Sequence, residues 1–171
     1  KLAALSTIDR FEPVDREVYC GAVGWVDADR REGDLNVAIR TFWVADGEYF
    51  ALALDTEGNQ VDSLTSNNGH LLWSGIVDKS KAKAVVANLL GPRLFSGWGV
   101  RTLAEGEGRY NPIGYHVGTV WPFDNSFIAW GLRRYGFKDE AAEIAAGILD
   151  AAAFFDGRLP EAFGGYLRQQ T

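Results

Sequence analysis

The side chains with chemical potential in this 171-residue chain lie mostly in its second half, as carboxylates and flat rings set among glycines. Glu161 follows Leu159-Pro160 in a stretch rich in glycine and aromatic residues. His116 and Trp121 stand within one short run, Tyr115-His116-Val117-Gly118-Thr119-Val120-Trp121. Imidazole can hydrogen-bond hydroxyls and an indole can stack on a pyranose ring, so the pair suits contacts to a sugar. Three of the six tryptophans, Trp25, Trp98 and Trp130, stand beside Gly, which fits the same use. The alternative is that the large rings fill the core. Two further residues carry two readings each. His70, in Asn68-Gly69-His70, either contacts a ligand or bonds loop carbonyls. Arg101 either orients a carboxylate or pins a long loop.

Other chemistries are poorly served. The single cysteine, Cys20, rules out an intrachain disulfide and a Cys-based zinc site, and points to a reducing, cytoplasmic setting. With two histidines far apart, a transition-metal site has little support, and neither metal nor other cofactor is expected. Gly106-Glu107-Gly108 lacks the strand-turn-helix context of a phosphate loop, and no Gly-x-Ser-x-Gly occurs. Seventeen basic against 23 acidic residues give a net charge of −6 without a basic block, which argues against nucleic acid. No apolar run approaches the roughly 18 residues of a membrane span, and no signal-peptide pattern opens the chain. Lys1 and the absence of methionine suggest a processed, excised or engineered piece.

The elements that must position these groups change character near residue 65. Before it, apolar and β-branched residues alternate over 18–26, 35–44, 49–54 and 60–64, with Asp46-Gly47 as a hairpin signal. The polar run Asp27 to Asp34 breaks the pattern. Leu2 to Phe11 reads as the end of a helix stopped before Pro13. After residue 65 the period becomes helical. Helices are expected from Asn67 or Asn68 to Ile76, from Lys81 to Leu90 with Ser80 as cap, from Phe123 or Asp124 to Tyr135, and from Asp139 to Phe154. The last places Ala141, Ile144, Ala145, Ile148 and Ala152 on one face. Residues 93–120 carry no sustained period and read as a long loop. The expected class is α+β, an N-terminal antiparallel β-meander over 1–64 followed by helical hairpins over 65–171.

Two resemblances sharpen this reading. Residues 16–44 carry Tyr19, Gly21, Gly24 and Ile39-Arg40-Thr41 in the order seen in chorismate-utilising enzymes, the para-aminobenzoate and anthranilate synthase large subunits. That resemblance implies that Tyr19 and Arg40 contact a carboxylate. The magnesium-binding glutamates of that family and its later glycine-rich segment are missing. Residues 42–167 resemble the C-terminal region of bacterial glycogen-debranching-type α-glucosidases, which are (α/α)6-toroid hydrolases. The matching stretches are EYFALALD, SNNGHLLWSGI, LFSGWGVRTLAEGEGRYNPIGYH, GTVWPFDNSFIAWGLRRYG and GRLPEAFGGY. The chain thus reads as a mosaic of two segments joined near residues 42–44.

The second resemblance implies roles. Glu161 is the candidate general base of a two-carboxylate hydrolysis. Trp98, Tyr115, His116 and Trp121 are candidate sugar contacts converging on one patch, and Arg101 is a further substrate-binding candidate. Asp124 lies in a motif resembling a substrate loop, and its alternative is to cap the third helix. The general acid of the family lies upstream of the matched region, although Asp124 or Glu105 could substitute. Val117 stands where the family usually has a small polar amide, and Phe123 where it often has His. The implied function is a partial α-glucan-active domain with little or no hydrolysis. A chorismate-type carboxylate-binding remnant and a folded mosaic without chemistry are the alternatives. Unclosed hairpins would also expose apolar faces, so self-association is expected.

Overall fold

Backbone pairing, not side-chain polarity, decides where the first strands lie. The computed structural model describes residues 22–27, 32–37, 44–45, 49–54, 57 and 59–170. β1, Ala22–Asp27, pairs antiparallel with β2, Glu32–Val37, so that Asp27 lies opposite Glu32. The polar run expected to interrupt the strands is therefore partly inside both, because ladder bonds use backbone groups alone. β3, Val44–Ala45, pairs with β4, Tyr49–Phe50, and β5, Ala53–Leu54, with β6, Gln60–Val61. The expected meander is corrected on this point: the described strands form three separate two-stranded ladders. The last four strands are two residues each, too short to offer an edge to a third. The helix expected over 2–11, the Asp46-Gly47 turn, Tyr19 and Arg40 lie outside the described residues.

Contacts divide the chain into two units, Lys1–Thr41 and Phe42–Thr171. Among its described residues the second unit has four α-helices: α1, Asn67–Ser74; α2, Lys79–Leu89; α3, Pro122–Arg134; and α4, Lys138–Ala152. A 3-10 turn, Ala153–Phe155, follows α4. α1 ends at Gly75, whose φ of 80° suits a residue without Cβ and lets its N–H reach the carbonyls of Leu71 and Leu72. α2 is capped by Asp78 rather than Ser80: the carboxylate accepts from the Ser80 amide at 2.8 Å and hydroxyl at 2.6 Å. Those bonds hold the Asp78 carboxyl below its usual pKa. α3 starts on Pro122, carries Asp124 in its first turn and Arg133 and Arg134 in its last, as the helix dipole favours.

Side-chain volume explains the packing. α1 crosses α3 so closely that a Cβ on Gly131 would stand 2.5 Å from the Trp73 backbone nitrogen, and one on Gly69 would stand 2.5 Å from Ile128. Leu71, Leu72, Ile128 and Leu132 close over this crossing, all nearly solvent-free. α4 buries Ala141, Ile144, Gly147, Ile148 and Ala151, so the expected stripe is corrected at two places. Ala145 is exposed and Ala152 half-buried, because Gly147 turns the helix onto the backbone of Gly97 and Trp98. Outside the core an aromatic stripe runs along α1 and α3: Trp73 and Phe127 meet edge to face at 4.7 Å, and Trp130 and Phe123 are exposed.

The crossing yields a stability prediction. Gly131→Ala gains helix propensity worth about 0.5–1 kcal/mol, but overpacking against a backbone costs about 1–3 kcal/mol. The variant should unfold at lower urea with its helical content kept. Stability equal to or above the parent's would show that α1 and α3 can separate freely.

Candidate active site

A buried arginine organises the loops from which the functional side chains emerge. Arg101 is 1% exposed. Its Nε donates to the Gly165 carbonyl at 2.6 Å, and Nη1 donates to the carbonyls of Pro92 at 3.3 Å and Arg93 at 3.1 Å. The carboxylate that faces it, Glu105, stands 3.9 Å away and is half exposed. Backbone bonds continue the clamp. Val120 and Phe163 exchange both N–H···O bonds, at 2.9 and 3.0 Å, and Gly165 N–H donates to Pro112 at 2.7 Å. The two strands of loop approach so closely that a Cβ on Gly165 would lie 1.9 Å from the Gly118 carbonyl oxygen. From below, Asn125 acts as a substitute strand: its Oδ1 accepts from the Val100 amide at 2.7 Å, and its Nδ2 donates to the Val100 carbonyl at 3.0 Å.

On this frame the Tyr115 hydroxyl donates to Glu161 Oε1 at 2.9 Å, across 46 residues of sequence. The Tyr115 carbonyl accepts from the Trp121 indole at 2.8 Å and from the Thr119 hydroxyl at 2.7 Å. The rings gather around the same residue. Tyr115 meets His116 at 4.4 Å and Trp121 at 4.6 Å, both edge to face, and His116 stacks on Trp121 at 5.0 Å and 15°. Beside them opens a cleft of about 450 Å³ with residues 113, 115 and 119 on one wall and 160–164 on the other. Tyr115 is 54% exposed. The Glu161 carboxylate, by sharing the phenol proton, holds the Tyr115 pKa above its ordinary value of 10.0.

The remaining expected residues lie elsewhere. Trp98 is buried, edge-on to Phe154 at 5.5 Å and beneath the Arg168 guanidinium at 4.6 Å, apart from the Tyr115 group. Asp124 sits in the first turn of α3, where Trp121 occupies the cap position and no side chain caps. Its Oδ1 meets Nε2 of His70 on α1, and among the described residues its buried Oδ2 has no partner. His70 thus bonds a carboxylate, beside the Trp73 and Phe127 rings, instead of loop carbonyls. Neither Asp124 nor Glu105 lines the cleft. Two contributors escape the sequence reading, Thr119 and Asn125. An amide in register with Ile128 and Leu132 on the buried face of α3 is the signal that marks Asn125. Among the described residues no cluster of His, Cys, Asp or Glu could hold a metal, and no helix is long and apolar enough to cross a membrane.

Comparison with known proteins finds relatives of two kinds. The family model for chorismate binding enzyme matches residues 1–53, in keeping with the Tyr19–Thr41 segment. A mannosylglycerate hydrolase from Rubrobacter radiotolerans is 32% identical over 108 residues, 60% of this chain and 24% of the relative. The GH63 mannosylglycerate hydrolase of Thermus thermophilus superposes with a TM-score of 0.62 at 21% identity, over 73% of this chain and 30% of that one. Neutral trehalase from Saccharomyces cerevisiae gives a TM-score of 0.62 at 17% identity, over 94% of this chain and 31% of that one. The chain therefore spans about a quarter to a third of the length of these relatives. These structural neighbours are (α/α)6-toroid glycosidases, and the mostly helical fold of this chain is consistent with helical hairpins of such a toroid. The relatives are mannosylglycerate hydrolases and a trehalase where the sequence resemblance pointed to debranching enzymes.

The Tyr115–Glu161 bond makes a pH prediction. A phenol whose pKa is raised on folding contributes stability below its unfolded value of 10.0, and that contribution is lost as pH rises through the folded value. Removing the acceptor in Glu161→Ala should let Tyr115 ionise at lower pH, read from the ζ-carbon resonances of labelled tyrosine. An unchanged midpoint would show that the hydrogen bond does not form in solution.

Proposed function

We propose that residues 42–171 carry one half of a glycosidase site, with a sugar held against Tyr115, His116 and Trp121 and Glu161 as general base. One observation supports this above the rest: the hydrogen bond at 2.9 Å that brings an exposed carboxylate to an aromatic group made of Tyr, His and Trp. In such a reaction the carboxylate takes a proton from water, the water oxygen attacks the anomeric carbon, and the glycosidic bond breaks. A carboxylic acid about 6.5–9.5 Å from the base protonates the leaving oxygen in an inverting enzyme. Family resemblance puts that acid in an upstream hairpin that these residues do not include. Lack of an acid catalyst costs a factor of about 10²–10⁴, so hydrolysis by this chain alone should be slow. The names of the hydrolase relatives favour a short glycoside as ligand over a long branched α-glucan. A cytoplasmic setting fits the lone cysteine.

The chorismate family match over residues 1–53 favours a second, separate reading. Under it the first segment is a remnant of a carboxylate-binding strand pair, with Tyr19 and Arg40 as its ligands, joined to the hydrolase segment.

The test is titration with maltose, trehalose and methyl α-mannoside by tryptophan fluorescence, together with product release in the parent and Glu161→Gln. Millimolar binding is expected, near −4 kcal/mol, with turnover close to background in both proteins. No fluorescence response at saturating sugar would reject the site. Robust turnover that vanishes in Glu161→Gln would show that an acid is present and the site complete.

A further inference from the structure

α3 carries a row of aromatic rings on one face and leaves two of them largely in solvent. Phe123, Phe127 and Trp130 stand at i, i+4 and i+7, within about 60° of one another around a helix of 3.6 residues per turn. Phe127 is half-buried against Trp73 of α1, at 4.7 Å, and Phe123 meets it edge to face at 4.9 Å. Trp130 extends the row, with its ring centre 6.4 Å from that of Trp73 and 6.5 Å from that of Phe127. Phe123 is nevertheless 69% exposed and Trp130 63%. Beside the row on the helix surface lies Ser126, also exposed, whose hydroxyl is turned back onto the Phe123 carbonyl at 2.6 Å. Large rings in water on a packed, well-formed helix mark a surface built to be covered.

We infer that a second copy of this chain covers the face, with the two α3 helices antiparallel about a twofold axis. The spacing of the row is self-complementary. An axis between positions 126 and 127 sets Phe123 opposite Trp130 of the second copy, and Phe127 opposite its Ser126. Each exposed ring thereby meets the other exposed ring, and the central Phe127 meets a small residue that leaves it room. The area agrees. An aromatic side chain carries about 150–250 Å², so Phe123 and Trp130, with the uncovered parts of Phe127 and Trp73, offer roughly 300–400 Å² of apolar surface. Apolar atoms make up about 56–65% of an interface, so the pair would bury on the order of 900–1,400 Å², the low end for specific association. Such a dimer is of micromolar affinity. The self-association expected from unclosed hairpins thus has a definite face, independent of the sugar site.

The experiment is sedimentation of the whole chain from about 1 to 500 μM, where mass action must show in the average mass. Trp130→Glu and Phe123→Lys are two independent disruptions, and Leu149→Glu, at an exposed position on α4, is the control. All three positions are exposed, and circular dichroism checks that helix content is kept. The parent's mass should climb toward twice the monomer's. Either disruption should raise the dissociation constant by at least about tenfold, and the control should dimerise like the parent. Pairing register is read in a Cys20→Ser background by mixing Phe123→Cys with Trp130→Cys protein under mild oxidation. The mixed disulfide should outrun both like-with-like disulfides, because like positions lie about 10 Å apart along the antiparallel helices. A parent that stays monomeric throughout would overturn the inference and leave the face to a helix from another protein. Dissociation by Leu149→Glu but not by Trp130→Glu, or faster like-with-like disulfides, would overturn it as well.

Discussion

A guanidinium taken out of water must find acceptors, and Arg101 finds three carbonyls on two segments that have no regular structure of their own. Burying that charge without partners would cost several kcal/mol, so the carbonyls of Pro92, Arg93 and Gly165 are held where its donors point. Gly165 lies four residues beyond Glu161, and its N–H is bonded to Pro112, three residues before Tyr115. The clamp therefore fixes both loops whose side chains meet in the cleft. Without it, the bond between Tyr115 and Glu161 would have to order two long loops unaided, and one exposed hydrogen bond is worth only about 0.5–1.5 kcal/mol.

The helices supply the floor on which this clamp rests. Two buried asparagines perform the same task at the start of α1 and α3. Asn68 bonds the amide and carbonyl of Phe50, and Asn125 bonds those of Val100. Each replaces the neighbour that a strand residue would have had in a sheet, which explains how short strands and isolated bridges survive without one. Glycines at 69 and 131 let the two helices approach, so both asparagines and the His70–Asp124 pair fall along one crossing. Positions of the functional loops thus follow from side-chain volume in the core.

How much of this is legible in the sequence depends on how local each cause is. The four helices can be read from their period, but their ends less well: α1 stops at Gly75 and not at Ile76, Asp78 and not Ser80 caps α2, and α3 starts on Pro122. The strands are harder. Pairing over 32–37 depends on backbone groups that polarity does not reveal, and the separate ladders depend on strand lengths that no residue type encodes. Aromatic residues suited to sugars can be named from sequence, but not sorted. Trp98 and Trp121 look alike there, and the packing of Trp98 against Phe154 and under Arg168 is not visible in it. Arg101 carries two equal readings until its acceptors are known, since an arginine near glycines fits a ligand and a loop equally well. Tyr115 and Glu161 each stand out by type and motif, yet a contact across 46 residues needs the tertiary clamp to be seen.

The central claim is that Arg101 holds the Glu161 loop in place. Amide hydrogen exchange in Arg101→Met tests it most directly, because methionine keeps much of the buried volume and removes every donor. The account predicts that the amides of Phe163 and Gly165 lose protection by at least about tenfold while those within α1 and α3 keep theirs. Protection at Phe163 and Gly165 equal to that of the parent would contradict it, and would mean that backbone pairing alone assembles the site.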